Sequence, residues 1–310
     1  MSLDLESLAR RGVSKLARTV SPEVTHVDKW TPATKAGLLT LYHHYGQIAR
    51  EGRVLPSVFD VGLRVFSEFE EDGILLFLFA VLGSRSKTFV DVGSADGLRS
   101  NCANLAINFG WDGLFIDGEP ERLSLGKKIY ARNPDVFLYP PTFVQGMVTR
   151  ETINDIISSA GFAGEVDLLS IDIDGNDYWV WEALTAIKPR VVIIETHVEF
   201  GRHNIVVPYD RDYVFPGRHP DYHGASPVAM KALAERLGYR LVACNRFGFN
   251  TIYVRADEGV GLLPDITVDD VLRHPRNAER MRRFEAVRSF PYVAGGTGYP
   301  GTPLSPGESR

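Results

Sequence analysis

The sequence predicts an α/β protein with a doubly wound, mostly parallel seven-stranded sheet, whose last hairpin strand is antiparallel, and an N-terminal helical annex. Between residues 87 and 238, short β-branched or aromatic runs alternate with helical patterns, which is typical of parallel strands joined by crossover helices. Two strands joined by a short connection follow over residues 240–255 and indicate the hairpin. Residues 1–83 show helical spacing without strand alternation, and they form the predicted annex.

Each element has a local signal. Apolar residues recur at helical spacing over residues 32–50 and 65–82, whereas residues 88–92 are a β-branched and aromatic run ending at Gly93. A helix follows over 98–109, with Gly110 as its C-terminal cap. Ser226 and Pro227 are a preferred N-cap and first residue for a helix that ends at Gly238. The remaining predictions are strands at 114–117, 136–139 or 142–144, 167–171, 190–195, 240–244 and 250–255, and helices at 149–160, 177–187 and, as a pair, 267–289.

The composition limits the classes of partner. With 310 residues, of which 44% are hydrophobic, the chain can bury one large core. Its formal charge of -5 leaves no basic excess for nucleic acid, and its longest apolar run, 74–82, is about half the ~20 residues that a membrane span needs. Cys102 and Cys244 indicate neither a disulfide framework nor a zinc site, so we expect a cytoplasmic protein. A small-molecule partner is expected, with no nucleic acid and no membrane, and the N-terminal helices leave a homo-oligomer open.

The turn after the first strand is a candidate ligand site, because ligands bind open α/β sheets beyond the carboxyl ends of the strands. Gly93 and Gly97 lack side chains there, which would let a ligand approach backbone N–H groups. The turn lacks the G-x-G-x-x-G spacing of dinucleotide sites, so a nicotinamide oxidoreductase is the weakest alternative. Asp91 and Asp96 would repel a pyrophosphate but suit a zwitterionic amino acid beside a sulfonium.

Asp117 is a candidate ribose-binding residue. It ends the second strand about twenty residues beyond the glycine turn, where an acidic side chain accepts hydrogen bonds from ribose hydroxyls. Glu119 is the nearby alternative. A carboxylate after a strand is ordinarily solvated, and it is the position relative to the glycine turn that favours a functional role.

Three motifs carry a resemblance to a known family. They are D-x-G-x-x-x-G at residues 91–97, the Phe-Ile-Asp run at 115–117 and Leu-Ser-Ile-Asp-Ile-Asp-Gly at 169–175. Together they resemble the class I S-adenosylmethionine (SAM) methyltransferases, which have a Rossmann-like fold. Residues 67–73 and 168–181 are similar to segments of the FkbM-like branch of that group, and the resemblance covers about residues 64–256.

The resemblance implies SAM as the cofactor and a division of the chain. Residues 84–258 would be the SAM-binding methyltransferase core, residues 259–290 C-terminal helices, and residues 291–310 a disordered tail rich in Gly, Pro and Ser. The methionine part would lie on the glycine turn under the acidic turn at 70–72, the ribose at the end of strand two, and the adenine along 145–148. The implied cofactor contacts are Glu71, Asp91, Gly93, Ser94, Gly97, Asp117, Gly118, Gln145, Gly146 and Asp172.

Acidic residues follow strands four and five, which are neighbours in the expected sheet. They are Asp172, Asp174 and Asp177 after strand four, and Glu195 and Glu199, with His197 between them, after strand five. Carboxylates gathered at one edge repel one another unless a cation compensates, and hard oxygen ligands suit Mg²⁺ or a similar ion. Asp177 has a structural alternative, since an acid at the start of the next helix caps its N-terminus.

The metal-dependent O-methyltransferases that the chain resembles take one aspartate after strand four and an acidic pair after strand five. Asp172 and Glu195 match these places, which implies that both bind the metal. Thr196 stands where a second acidic or amide ligand is expected, so the third ligand is either His197 or Asp174. By the same resemblance, Asp174 is the expected general base.

His197 and His223 are the alternative bases, because an unperturbed histidine titrates near neutrality. The segment 206–223, rich in Tyr, His and Pro, is too long for a minimal connector and is a candidate acceptor lid, with a packed surface loop or an oligomer contact as the alternative. Aromatic and histidine side chains suit a glycosylated or polyhydroxylated acceptor. The sequence therefore predicts metal-assisted methyl transfer to a hydroxyl. The alternatives are a metal-independent methyltransferase acting on an amine or another nucleophile, and a SAM-binding module without turnover.

Overall fold

A seven-stranded sheet forms the centre of the computed structural model, which describes residues 31–304. Its strands are β1 (Thr88–Val92), β2 (Asp112–Asp117), β3 (Thr142–Gln145), β4 (Gly164–Ile171), β5 (Ile187–Glu195), β7 (Tyr239–Cys244) and β8 (Asn250–Arg255). A separate pair consists of β6 (Ile205–Val206) and β9 (Val293–Ala294). The helices are α1 (Pro32–Arg50), α2 (Glu71–Leu82), α3 (Ala103–Phe109), α4 (Pro120–Tyr130), α5 (Ile153–Ser159), α6 (Asp177–Ala183), α7 (Pro227–Arg236), α8 (Val268–Leu272) and α9 (Asn277–Arg280). Two 3₁₀ helices occupy Val198–Phe200 and Met281–Ala286.

The sheet confirms the predicted doubly wound, Rossmann-like architecture. The strand order is β3-β2-β1-β4-β5-β8-β7, and only β8 runs antiparallel to its neighbours among these strands. The central strands β1, β4 and β5 are buried along most of their length, as expected where helices cover both faces of a parallel sheet. The antiparallel strand is therefore the last strand of the final hairpin, as predicted.

The register determines which residues leave the sheet together. Four parallel strands end in one row, formed by Ile116, Val92, Ile171 and Ile194. The residues that directly follow them are Asp117, Gly93, Asp172 and Glu195. The glycine turn and the acidic residues thus lie together at the carboxyl ends of the parallel strands.

Three local predictions differ from the structure. The third strand is the later of the two alternatives, and residues 136–139 form turns instead. Helix α4 was not predicted, because its exposed Glu, Arg and Lys residues hide the short apolar face that Leu123 and Ile129 bury. Helix α2 begins at Glu71 instead of residue 65, since the backbone N–H groups of residues 65–67 donate to the Asp72 carboxylate and form a turn.

One of the predicted domains also differs. The chain divides into two compact units, Met1–Leu41 and Tyr42–Arg310, and the domain boundary at residue 83 stays a prediction. Of the first unit the description covers only residues 31–41. The prediction of a disordered tail from residue 291 is wrong for residues 291–304, because β9 pairs with β6 and buries Tyr292 and Val293. Residues 1–30 and 305–310 lie outside the described residues. In the described part of the chain, no helix has the length and apolar character to cross a membrane.

A buried ionic network links the central strands on the side away from their carboxyl ends, where the candidate site lies. Arg190 of β5 is 1% exposed and donates to Asp167 of β4 at 2.6 Å and to Glu258 at 2.8 Å. Asp167 also accepts from the backbone N–H groups of residues 85–87, which lead into β1. A charge taken out of water this completely is tolerated only with such partners.

We expect Arg190→Met to destabilise the fold by about 3–5 kcal/mol, because the buried Asp167 would lose its ion pair and Glu258 would keep only those with Arg85 and Arg255. Urea unfolding measures the difference. The control Arg202→Met removes an ion pair with Asp269 whose partners are both largely exposed, and should leave the midpoint unchanged. A loss below about 1 kcal/mol in Arg190→Met would contradict this account of the network.

Candidate functional site

The glycine turn after β1 lies directly against the chain that leaves β4. Gly93 has a φ of +84°, and a Cβ placed on it would lie 1.8 Å from the carbonyl oxygen of Asp172. A side chain at this position is therefore excluded twice, by the backbone conformation and by the contact. The turn and the acidic residues after β4 form one continuous surface for this reason.

The N–H groups of the turn are bonded within the protein. Gly93 and Ser94 both donate to the Ile116 carbonyl, at 2.9 and 3.1 Å, and Gly97 donates to Ser94. The Ala95 N–H donates to Asp117 at 2.7 Å. The expectation that these N–H groups are open to a ligand is wrong, since they already donate hydrogen bonds to Ile116, Ser94 and Asp117.

The predicted ribose and adenine residues lie side by side. Asp117 pairs with Gln145 in the sheet register, and the Gly146 N–H donates to the Asp117 carbonyl at 2.9 Å. The half-exposed Asp117 carboxylate accepts from Ala95 and Glu119 N–H groups, and each of its oxygens can accept a further hydrogen bond. These placements agree with the expected ribose and adenine positions, which stay predictions.

Met147 is a site residue that the sequence reasoning did not single out. Its side chain is 65% exposed and lies over Gly118, where a Cβ would be 2.6 Å from the Met147 sulfur. An exposed, polarisable side chain beside the predicted adenine position offers a base an apolar surface. The signal in the sequence was weak, because one methionine after a strand has no periodic partner.

Two predicted cofactor contacts are buried in the protein. Glu71 is 0% exposed and accepts from the side-chain amides of Asn245 and Asn250, at 2.8 and 2.9 Å. It therefore links helix α2 to the final hairpin, and its contact with the cofactor stays a prediction. Asp91 is buried beneath the turn and accepts from the Ser100 hydroxyl, and burial raises its pKa to about 6. Its role in the structure is to hold the turn.

Three carboxylates converge at the carboxyl ends of β4 and β5. Asp172, Asp174 and Glu195 each present an oxygen, and these oxygens lie within 4.8 Å of one another. Burial, followed by the neighbouring carboxylates, raises the pKa of Asp172 and of Glu195 well above the ordinary range. Glu68 contributes to this repulsion at Asp172, so the segment before α2 also approaches the cluster.

Asp177 organises this cluster without joining it. Its two carboxylate oxygens accept from the N–H groups of Ile173 and Gly175, each at 2.9 Å. These bonds close a turn that holds Asp174 at a φ of +56°, a left-handed conformation that costs a non-glycine residue about 1–2 kcal/mol. The strain is maintained at the one residue of the turn whose exposed carboxylate reaches the cluster.

His197 was assigned to the metal, and the structure places it elsewhere. Its Nε2 lies 3.2 Å from the Asp221 carbonyl and its Nδ1 3.6 Å from the Glu199 carboxylate. Burial lowers its pKa to about 4. Asp174, the other alternative, completes the group of three, so the assignment of His197 is corrected. The His197 N–H donates to the Ala225 carbonyl at 2.8 Å, and a 3₁₀ helix begins at the next residue.

The two remaining residues after β5 also face other partners. Thr196 donates through its hydroxyl to the Gly248 carbonyl at 2.8 Å and therefore does not replace a ligand. His223 packs against the His197 ring, with centroids 4.3 Å apart, and is buried. The role of His223 as general base stays a prediction, and Asp174 is the acidic residue that best suits this role.

The donor set fits a divalent cation. Three carboxylate oxygens at this spacing are the hard ligands that Mg²⁺ prefers, and they come from two rigid strand ends. A cation would compensate the repulsion that raises the pKa of Asp172 and Glu195. Asp172, Asp174 and Glu195 are therefore the residues that would hold it.

Comparison with solved structures returns methyltransferases. The O-methyltransferase from Bacillus cereus in complex with SAH is 11% identical, with 70% of this chain and 91% of that chain covered and a TM-score of 0.40. A putative sarcosine dimethylglycine methyltransferase from Galdieria sulphuraria is 14% identical, with coverages of 79% and 84% and a TM-score of 0.39. An O-methyltransferase family protein from Burkholderia thailandensis is 12% identical over 56% of this chain, which spans about half (52%) of its length, with a TM-score of 0.36. No protein-family model and no curated protein matches the chain.

We expect Gly93→Ala to be far more damaging than Gly161→Ala. Both glycines have a φ near +85° (84° and 86°), but a Cβ on Gly161 meets open space, whereas one on Gly93 collides with Asp172. Gly161→Ala should cost about 1–2 kcal/mol from conformation alone, while Gly93→Ala should cost several kcal/mol more or prevent folding. Equal shifts of the urea midpoint in the two variants would contradict the contact.

We expect divalent cation to stabilise the protein in a pH-dependent way. A carboxyl group whose folded pKa is raised weakens the fold as the pH rises through that value, so the repulsion that Asp172 and Glu195 experience increases with pH and is lost in acid. In EDTA at pH 7, Asp172→Asn should raise Tm by about 2–4 °C and should remove the rise that Mg²⁺ causes in the wild type.

Thermal melts with Mg²⁺ and with EDTA, at pH 7 and pH 4, measure this. Asp112→Asn is the matched control, because Asp112 is exposed at the other end of β2. A Mg²⁺ effect on Tm that is the same in Asp172→Asn as in the wild type would place the cation elsewhere.

Proposed function

We propose that this protein is a SAM-dependent methyltransferase that, assisted by a divalent cation, transfers the methyl group to a hydroxyl of a sugar or another small polyhydroxylated metabolite. The proposal includes a cytoplasmic protein acting on small molecules, without a nucleic-acid or membrane partner. One observation carries it. The glycine turn and a cluster of three carboxylates meet at the same sheet edge, with Gly93 in contact with Asp172. A cofactor on the turn would therefore present its methyl group beside the cluster.

The protein residues would act as follows. Asp117, Gly118, Gln145 and Gly146 bind the nucleoside part of SAM, with Met147 as an apolar surface for the base. The glycine turn and Asp172 lie under its methionine part. Asp174, held in place by the hydrogen bonds of Asp177, accepts the proton of the acceptor hydroxyl.

Methyl transfer involves the acceptor, SAM and the Asp174 carboxylate. The acceptor O–H bond breaks and its proton goes to Asp174, while the oxygen forms a bond to the methyl carbon. The electron pair of the S–CH₃ bond stays on sulfur, which gives S-adenosylhomocysteine. Asp172, Asp174 and Glu195 would hold a divalent cation, which would lower the pKa of the hydroxyl and supply charge stabilisation. The protein supplies alignment of oxygen, carbon and sulfur, which provides much of the remaining acceleration.

The segment between β5 and α7 supports a polyhydroxylated acceptor. It is anchored over the site, because the Asn176 amide donates to the Asp210 carbonyl at 2.8 Å and Trp179 Nε1 donates to the Val207 carbonyl at 2.9 Å. It brings aromatic side chains and hydrogen-bonding groups to the edge where the carboxylates lie. Such a mixture binds sugar faces and hydroxyls together.

We expect EDTA-treated protein to bind SAM and S-adenosylhomocysteine with micromolar affinity, and Asp117→Ala to weaken both by about 10- to 100-fold, the loss expected for hydrogen bonds to a charged group. Isothermal titration calorimetry measures the affinities. Asp112→Ala, at the other end of the same strand, is the control and should keep them.

A second titration with Mg²⁺ separates the two parts of the proposal. Cofactor binding with a Mg²⁺ signal that Asp172→Ala abolishes supports the complete proposal. Cofactor binding without metal binding leaves a metal-independent methyltransferase acting on an amine or another nucleophile. No binding of either cofactor would refute the proposal.

A further inference from the structure

Tyr213, in the segment between β5 and α7, lies against Gly175, the residue that follows Asp174. Its ring lies between two glycines that provide the space for it. A Cβ on Gly175 would be 2.3 Å from the ring, and one on Gly217 would be 2.5 Å from its other edge. Gly217 has a φ of +59°, and its N–H donates to the Val214 carbonyl in the turn that follows the tyrosine. The ring is thus held by backbone on both sides.

The hydroxyl group at the end of this ring has no partner among the described residues. The Tyr213 oxygen is buried and makes no hydrogen bond, although the ring that carries it is firmly placed. Burial, and after it the Asp174, Glu195 and Asp177 carboxylates, raise the pKa of Tyr213, so the phenol keeps its proton at neutral pH. Leaving a buried donor without an acceptor is unfavourable, which favours a partner that arrives with the bound molecule.

We propose that the Tyr213 hydroxyl donates a hydrogen bond to the oxygen that occupies the carboxylate cluster, a water in the resting site and the acceptor hydroxyl during methyl transfer. This assignment rests on the proposed function. It makes Tyr213 a catalytic residue, because its hydroxyl touches the reacting oxygen.

The assignment gives the two protein groups complementary tasks. Asp174 accepts the proton of the acceptor hydroxyl, while Tyr213 donates to a lone pair of the same oxygen and stabilises the negative charge that develops as the proton leaves. The two groups together require an oxygen that can both donate and accept. A hydroxyl acceptor meets that requirement, whereas a neutral amine uses its one lone pair to attack the methyl carbon and has none for Tyr213.

The experiment compares Tyr213→Phe with Tyr213→Leu in the full chain. Phe keeps the ring between Gly175 and Gly217 and removes only the hydroxyl, whereas Leu removes the ring as well. Tyr139→Phe is the control, because Tyr139 is 88% exposed and precedes β3 at the other edge of the sheet. Calorimetric titrations with Mn²⁺ and with S-adenosylhomocysteine are the measurements, and they need no knowledge of the acceptor.

We expect Tyr213→Phe to raise the Kd for Mn²⁺ about fivefold, since the oxygen that accompanies the cation loses one hydrogen bond. Its Kd for S-adenosylhomocysteine should stay within about twofold of the wild type, and Tyr139→Phe should match the wild type throughout. Wild-type Mn²⁺ affinity in Tyr213→Phe with a loss only in Tyr213→Leu would show a packing role and overturn the assignment. A wild-type protein that binds S-adenosylhomocysteine but no Mn²⁺ would refute the metal-assisted function and the assignment with it.

Discussion

The contact between Gly93 and the Asp172 carbonyl is the constraint on which the site depends. Strands β1 and β4 are parallel neighbours paired through Val92 and Ile171, so the residues that follow these two, Gly93 and Asp172, lie side by side. With 1.8 Å between a Cβ at position 93 and the Asp172 oxygen, only glycine allows that approach. The same contact joins the turn that would hold a cofactor to the carboxylates that would hold a cation, and thereby brings donor and acceptor chemistry into one place.

Burial and like charge make this arrangement costly, and the surrounding structure compensates. Asp177 closes the turn that keeps Asp174 in a strained conformation, while the row of strand ends bonds the N–H groups of the glycine turn. At the opposite edge, Arg190 neutralises Asp167 and Glu258. The two edges differ in kind, since the Arg190 network is satisfied within the protein, whereas the carboxylate cluster and the Tyr213 hydroxyl lack partners that a bound molecule would supply.

The sequence predicted the sheet because strand signals are local. The run at 88–92 and the glycine after it identify β1 without knowledge of any other residue, and the same holds for the acidic ends of β4 and β5. Features that depend on distant partners were not predictable. The pairing of β9 with β6 orders a segment whose composition indicates disorder. Glu71 accepts hydrogen bonds from Asn245 and Asn250, which lie far along the chain. The choice between Asp174 and His197 depended on the direction in which a loop turns, and Tyr213 enters from a segment with no periodic signal.

The most direct test of the central claim is transfer of a labelled methyl group from SAM to a panel of glycosides and small polyols, with Mg²⁺ or with EDTA. The account predicts labelled methyl ether in the Mg²⁺ reactions for at least one acceptor, a strong decrease with EDTA, and no transfer by Asp174→Asn under either condition. Transfer that is equal with Mg²⁺ and EDTA, or that Asp174→Asn retains, would contradict the claim that the carboxylate cluster beside the glycine turn activates the acceptor.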